Sequence, residues 1–540
     1  MAMNTKTSSR YDNIICKVLI QSGSPSVYQL TPQKKNIGTL TRMTLGEKCL
    51  NKINKTILLV GETGSGKSTL INALVNYAMG VQWEDNVWFD IVAEGKKSQT
   101  ESQTPDVIMY EIFGFEDETL PYSLTIIDTP GFGSTSGIEQ DVHTGQRLFD
   151  LFRSEDGVHE INVVGLVLKA TECRLSDRQS YIFNSVVSLF GKDIEKNIVA
   201  LLTHSNGITP RNALEALKAA NVKFATNEKN QPVRFLFDNC LNEDRTEDTE
   251  ERQHAYKITM NGMSQFTAFL EKTPPQQLEV TVDVLKERIR LTACIQNLED
   301  KIELTELKQK EIQQTREGLN KYELEMKSNE NFTVEVDEVY KETKRIDSGM
   351  WGLFLYNAAT CCTICEENCH YPGCTVAWFP KACQVMSGSR CTVCTRKCPV
   401  SAHVKENWRF VNKTRKVNKT LQDVKEKYEK NKAETEKKNN LLQTLQTEME
   451  NLETNKTRLL DEAYQHVENL EKIALNVVSL STYVHLDFLI QEMEKRGDTE
   501  KVHKLKQMSS RADDRLRAGL KYIYRKFFKK KTDDKRGSEV

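Results

Sequence analysis

Gly61-Glu62-Thr63-Gly64-Ser65-Gly66-Lys67-Ser68 decides how the whole chain is read. It follows the apolar run Thr56–Val60 and precedes a helix-like run, Thr69–Tyr77. That strand–loop–helix setting is what a phosphate-binding P-loop requires, and an ordinary glycine-rich turn rarely meets both conditions. Glycines let backbone N–H groups turn inward around phosphates, and the helix N-terminus adds a favourable dipole. In that arrangement Lys67 reaches the β- and γ-phosphates, the Ser68 hydroxyl ligates Mg2+ and Thr69 continues the helix beneath them.

Outward from the loop, apolar runs alternate with helix-like stretches. Strands are expected at Thr56–Val60, Val107–Phe113, Leu124–Ile127, Val163–Leu168, Ile198–Leu202 and Val233–Phe237. The alternation predicts a three-layer α/β domain with a mainly parallel sheet. A helix near Glu251–Glu271 closes it, and Pro274-Pro275 marks the boundary. Upstream, Ile14–Ile20 and Val27–Leu30 read as short strands around a Gly23-Ser24-Pro25 turn, an N-terminal extension.

Asp128-Thr129-Pro130-Gly131 comes directly after the third strand. An aspartate there can hold Mg2+ through water, and the Gly131 N–H can sense a γ-phosphate. The wording is much more typical of GTPases than of ATPases. Between the two motifs lies Ser98-Gln99-Thr100-Glu101-Ser102-Gln103-Thr104. Thr100 or Thr104 is expected to close over Mg2+, and spacing alone does not choose between them. Phe132 and Gly133, rather than a glutamine, follow Gly131, so intrinsic hydrolysis is expected to be slow. Gln140, His143 and Gln146 read as surface residues of a nearby helix.

Two further motifs carry a resemblance: Thr203-His204-Ser205-Asn206 after the fifth strand and Phe237-Asp238-Asn239 after the sixth. Together with the P-loop and Asp128–Gly131, they make residues 53–272 similar to the GTPases of immunity-associated proteins. Those are septin-like G domains, also related to chloroplast import-receptor GTPases. The resemblance implies GTP and GDP as ligands with Mg2+, with Asn239 touching the guanine and His204 stacking on the base. It further implies a homodimer through the G domain, in which Arg174 reaches the partner's active site and supplies charge to the transition state. The base-reading position is usually Asp, and here it is Asn206. An amide offers its carbonyl to only one donor, so weaker guanine affinity or relaxed base choice is expected. The joining of such a domain to a cysteine-rich coiled-coil region resembles a group of fish proteins, which adds no functional information.

The chain has 540 residues, 75 Lys+Arg against 76 Asp+Glu, and 14 Cys. No run of about 18 apolar residues occurs, and Met1–Asn13 lacks a signal-peptide core, so a cytoplasmic protein is expected. After Pro275, apolar or small residues recur every seven positions at Leu291, Leu298, Thr305, Ile312, Leu319 and Met326. This predicts a long helix of moderate coiled-coil character, matched by a second charged stretch over Leu421–Leu470. Each is roughly 75 Å long at 1.5 Å per residue. An antiparallel hairpin with a compact insert at its tip follows, the alternating runs Val334–Arg345 and Trp408–Val417 pairing at its neck. The other arrangement is two separate helices packed on the G domain.

Nine of the 14 cysteines fall between Cys361 and Cys398. In a reducing compartment, metal explains such a cluster better than disulfides. Cys362, Cys365, Cys369 and Cys374 have gaps of two, three and four residues, and Cys391, Cys394, Cys398 and His403 repeat them. Each set offers the four S/N donors of a closed structural zinc site, so two Zn2+ ions are expected. His370 could replace Cys369 or Cys374, and the two CxxC pairs could interleave in a cross-brace. Cys361 and Cys383 are then spare buried thiols. A RING-type ubiquitin ligase needs a long loop after the first CxxC, and here only three residues intervene. A rigid, metal-stapled tip that contacts a protein partner fits the spacing better.

Lys501–Lys531 carries 12 Lys/Arg and two Asp, so near-neutrality hides a tail of net +10. Its aromatics at Tyr522, Tyr524, Phe527 and Phe528 suit docking on an anionic membrane surface, at about 1 kcal/mol per basic residue. A solvated helix end is the plainer reading, and no motif supports nucleic acid. The resulting division is an N-terminal extension (1–52), a septin-like G domain (53–273) and a first coiled-coil helix (276–330). A zinc module with flanking strands (331–420), a second coiled-coil helix with an apolar helix (421–498) and a basic tail (499–540) follow. A nucleotide-dependent dimerisation switch is the function expected, with a zinc-tipped scaffold holding a purely structural nucleotide as the alternative.

Overall fold

In a computed structural model of the chain, the described residues are 11, 17–37, 40–92, 106–116, 118–132, 138–171, 177–219, 222–239, 241, 243–246, 248–321, 333–346, 358–374, 379–420, 439–477 and 480–510. Packing divides the chain into two units. One comprises Met1–Leu285, Glu471–Tyr483 and Gln507–Val540, and the other Lys286–Leu470 and Val484–Lys506.

The first unit is built on strands that are apolar on both faces, as strands covered by helices on two sides must be. Its strands are β1 (Lys17–Gln21), β2 (Ser26–Leu30), β3 (Gln33–Ile37), β4 (Leu40–Leu45), β5 (Asn54–Gly61), β6 (Val87–Asp90), β7 (Ile108–Ile112) and β8 (Ser123–Asp128). The two-residue β9 (Glu160–Ile161), then β10 (Val163–Lys169), β11 (Ile198–Thr203) and β12 (Arg234–Leu236) complete them, apart from β13 (Gln276–Gln277), which pairs with β9. The main sheet has the order β12-β11-β10-β5-β8-β7-β4-β3. From β12 to β8 it is parallel, β7 runs antiparallel to β8, and β4 is parallel to β7. All six expected strands are present. Helices α1 (Lys67–Ala78), α2 (Ile138–Arg153), α3 (Asp177–Val187), α4 (Arg211–Ala219) and α5 (Thr249–Lys272) accompany them, α5 being the expected closing helix.

Residues 17–45 are less of an extension than the sequence implies. β3 and β4 form an edge hairpin of the main sheet itself, while β1 and β2 pair with each other and β2 with β6. The α2 expectation also needs correction, because Gln146 is buried and His143 is half-buried. The inner face of α2 sinks Arg147, Leu148 and Leu151 into the unit, and its neighbours go with it.

The second unit is organised by α6 (Glu279–Lys321), whose residues from Lys286 on belong to it, and by α7 (Asn439–Ile473). The two run antiparallel: Glu287 meets His466 at 2.8 Å, the Cys294 thiol donates to the Leu459 carbonyl, and Lys308 lies 3.6 Å from Glu448. Helices α8 (Leu480–Arg496) and α9 (Thr499–Ser510) add Leu486, Leu489, Met493 and Leu505 as buried residues. Strands β14 (Thr333–Arg345) and β20 (Trp408–Thr420) pair antiparallel along their whole length, from Thr333 opposite Thr420 to Arg345 opposite Trp408. Between them come β15 (Ala358–Cys362), β16 (Glu367–Cys374), β17 (Met386–Ser387), β18 (Arg390–Cys391) and β19 (His403–Glu406).

The expected tip position is not what the structure shows. The cysteine module folds back onto the middle of α6. Asn297 donates to Glu367 and to the Val393 carbonyl, Lys301 pairs with Glu367 at 2.7 Å, and Ala293 packs among the cysteines. The ribbon docks further along the same helix, where Gln314 exchanges hydrogen bonds with the Asp337 backbone N–H and carboxylate. A single buried ion pair and a set of amide bonds thus fix where the insert lies, and heptad spacing carries no sign of them. The basic segment beyond residue 510 lies outside the described residues.

Candidate functional site

The nucleotide motifs converge at the carboxyl ends of β5, β8, β11 and β12. Gly64 and Gly66 take left-handed φ values of 78° and 90°, the conformation that turns successive N–H groups to one side of a loop. Gly66 is also demanded by space, since a Cβ there would come 2.5 Å from Asn239 Nδ2. Lys67 is buried, and its ammonium donates to the Gly61 and Glu62 carbonyls at 3.2 and 3.0 Å. Burial pushes its pKa down to about 8, against the opposing pull of Asp128 and Glu62. Ser68 and Thr69 follow in the first turn of α1, half-buried, and Asp128 is fully buried at the end of β8.

Gly131 sits directly on the P-loop. A Cβ there would meet Thr63 Oγ1 at 2.3 Å and the Thr63 backbone within 2.6 Å, and Thr63 Oγ1 donates to the Gly131 carbonyl. The Phe132 N–H donates to the Gly61 carbonyl at 3.0 Å, so the third strand's exit is laced to the loop. Thr129, which the sequence left without a role, anchors the same turn by donating to the Leu59 carbonyl.

Two side chains tie the opposite wall down. Thr203 Oγ1 donates to the Ser65 carbonyl at 2.7 Å, and Asn239 Nδ2 donates to the Gly66 carbonyl at 3.1 Å. Asn239 has a left-handed φ of 73°, and its buried Oδ1 has no hydrogen-bond partner. His204 is also left-handed, at φ 52°; its side chain is largely exposed, and partial desolvation of the ring, with the nearby Lys169 charge, lowers its pKa. Asn206 is exposed, and its Oδ1 accepts the Ile208 N–H at 3.1 Å. Thr100, Thr104 and Arg174 lie outside the described residues. Asp106, two residues after Thr104 in sequence, pairs with the buried Arg147 of α2 at 3.0 Å.

The second constellation is the cysteine module. Three groups bring their ligand atoms within 4.8 Å of one another: Cys362, Cys365, Cys394 and Cys398; Cys369, Cys391, Cys394 and His403; and His370, Cys374 and Cys383. The sets expected from the repeated spacing are therefore regrouped. The CxxC pairs interleave, Cys394 belongs to two groups, and Cys374 joins the supposedly spare Cys383 and the unassigned His370. Strand pairing sets the groups side by side: β15 places Cys362, of the first group, opposite His403, of the second, and Ala358 opposite Cys374, of the third. Cys361 does remain apart, its buried thiol pushed up to about 12 by burial.

The donor chemistry fits zinc. Backbone N–H groups of Cys365, Val393, Cys394 and Cys398 point at the sulfurs of Cys362, Cys391 and Cys394 within 3.4 Å, the pattern that stabilises thiolates. Nδ1 of His403 meets the Pro399 carbonyl at 2.9 Å, while its buried Nε2 has no hydrogen-bond partner. A histidine oriented by a carbonyl on one nitrogen and free on the other is arranged as a metal ligand. Glu367, invisible to motif reading, fastens the module: it accepts from Lys301, Asn297, and the Thr395 N–H and hydroxyl.

The AIG1 family model matches residues 55–260. No curated protein matches the chain. Among solved structures, the chain is similar to Toc33 from Arabidopsis thaliana in complex with GDP and Mg2+, with 15% identity over 42% of this chain and 88% of that one, at a TM-score of 0.28. It is also similar to LeoA, a bacterial dynamin GTPase from ETEC, with 16% identity over 51% of this chain and 46% of that one, at a TM-score of 0.26. TM-scores of this size carry no functional inference. The family match rests on the segment that holds the P-loop, Asp128–Gly131, Thr203 and Asn239, and residues 55–260 form an AIG1 family domain, the P-loop GTPase part of this chain.

Proposed function

We propose that the chain binds GTP and GDP with Mg2+ in the Gly61–Thr69 cradle, hydrolyses GTP slowly, and uses nucleotide-dependent pairing of G domains as a dimerisation switch or assembly scaffold. The observation that carries this reading is Lys67. A buried ammonium resting on two loop carbonyls, in a loop whose Gly64 and Gly66 are left-handed, suits a polyanion. Mg2+, once bound, neutralises charge on the β- and γ-phosphates, and Ser68 and Asp128 are the residues that would hold it. Gly131 presents its N–H beside the loop, Thr203 and Asn239 hold the cradle in shape, and Asn239 with His204 would face the base. Thr100 or Thr104 would close the switch, and Arg174 would act across the dimer.

The cysteine module is proposed as a zinc-stapled platform for a protein partner. The basic tail is proposed as a contact for anionic membrane, on a cytoplasmic protein. Zinc there supplies cross-links in place of a large apolar core.

Turnover measured against protein concentration tests the switch. A specific rate that rises with concentration and falls in Arg174→Ala is expected. Nucleotide binding with no turnover at any concentration favours the second reading, a scaffold with a structural nucleotide. That reading has its own support, because Phe132 is buried and bonded to the P-loop where a water-positioning side chain would stand.

A further inference from the structure

His370 and Cys374 stand on β16, and Cys383 follows the short turn Pro380–Ala382. All three are buried. His370 Nδ1 lies 3.2 Å from Cys383 Sγ, and the Cys374 and Cys383 sulfurs are 3.7 Å apart. Two thiolates bound tetrahedrally at about 2.3 Å from zinc stand roughly 3.8 Å apart, so the sulfur pair already has the spacing of co-ligands. A disulfide would bring them to about 2.05 Å. The Thr360 hydroxyl, 3.1 Å from Cys374 Sγ, is placed to donate to a thiolate there.

We propose that His370, Cys374 and Cys383 hold a third zinc ion, separate from the two four-donor groups. This rests on the zinc reading of the module and extends it. The other two ions use Cys362, Cys365 and Cys398, and Cys369, Cys391 and His403, each set completed by Cys394, whose sulfur lies in both groups. Cys374 is in neither, so the repeated spacing hides a site rather than filling one. Two thiolates and a neutral imidazole cancel the charge of Zn2+, which keeps the burial of this ion inexpensive. Among the described residues, the group holds three His, Cys, Asp or Glu donors, and on this proposal the fourth place would go to water. An ion with three protein ligands exchanges before one with four.

Elemental analysis of the purified full chain tests this. Wild type should carry three zinc ions per chain, and Cys383→Ser and His370→Ala two each. In wild type, which needs no variant to fold, the chromogenic chelator 4-(2-pyridylazo)resorcinol should take one equivalent first and the rest only after the thiols are modified. Two ions in wild type, unchanged in Cys383→Ser, overturn the third site and leave the other two standing. Three ions in both proteins overturn the ligand assignment. Zinc near zero in wild type overturns the zinc reading itself.

Discussion

The nucleotide cradle and the cysteine module solve the same problem, holding loops at strand ends, by different means. Around the cradle, β5, β8, β10 and β11 bury Ile57, Leu59, Ile126, Val163 and Val199 in one apolar core, and the loops are laced by backbone carbonyls such as those of Gly61, Ser65 and Gly66. That scaffold stands without its ligand. The module's core consists mostly of the cysteines themselves, with Val385, Val393 and Met386 among them. A core of thiols buries little apolar surface, so its order depends on what the sulfurs bind. One region is ordered by an apolar core, and the other, on the zinc reading, would be held together by metal.

Metal removal should break this comparison most visibly. Zinc-dependent folding is worth on the order of 10 kcal/mol per structural ion. Chelation should therefore abolish protection of amides 362–403, and far-ultraviolet signal from the first unit should persist. Next in size is Lys301→Ala, which leaves the Glu367 carboxylate buried without its cation. Loss of about 3–5 kcal/mol from the second unit is expected, read as a lowered urea midpoint. Lys67→Ala comes third. Removing the charged donor should weaken GDP binding by about 2–3 kcal/mol, with circular dichroism unchanged, and isothermal titration calorimetry measures it.

Acidity gives a subtler handle on the same lysine. Its pKa near 8 in the free protein lies below the ordinary 10.5, so its neutral form stabilises the nucleotide-free fold above 10.5, a contribution lost as pH falls through about 8. Bound phosphates favour the charged form. Affinity should be flat between about pH 7 and 8 and fall above it by up to about tenfold per unit, with proton uptake seen at pH 9 in buffers of different ionisation enthalpy. The smallest effect expected is Thr203→Val. It removes one hydrogen bond to the P-loop, and should cost about 1 kcal/mol of nucleotide affinity, measured by displacement of a fluorescent GDP analogue.

What was legible follows the same divide. Apolar runs and glycine spacing are local, so the six strands, the P-loop and Asp128–Gly131 read directly, as did the strand character of the β14–β20 ribbon. β3 and β4 escaped because Gln33–Ile37 is a polar, largely exposed edge strand, and Leu40–Leu45 beside it is mostly polar and half-buried between its two apolar ends. In the module, ligand grouping depends on which strands pair, and pairing is non-local. The gaps between cysteines repeat, yet Cys362 faces His403 across strands 41 residues apart, a pairing the spacing does not announce. The fold-back onto α6 rests on Asn297 and Lys301, polar residues that a heptad reading assigns to solvent, and on Glu367 of β16, which belongs to no motif.

Hydrogen exchange followed by mass spectrometry, with the full chain in four conditions (as purified, with GDP and Mg2+, with a zinc chelator, and with both), tests the contrast most directly. GDP should protect residues 61–69 and 203–206 and leave 362–403 unchanged. The chelator should deprotect 362–403 and leave the GDP response intact. Protection of 362–403 that survives complete removal of zinc, or a P-loop indifferent to GDP, would contradict the account.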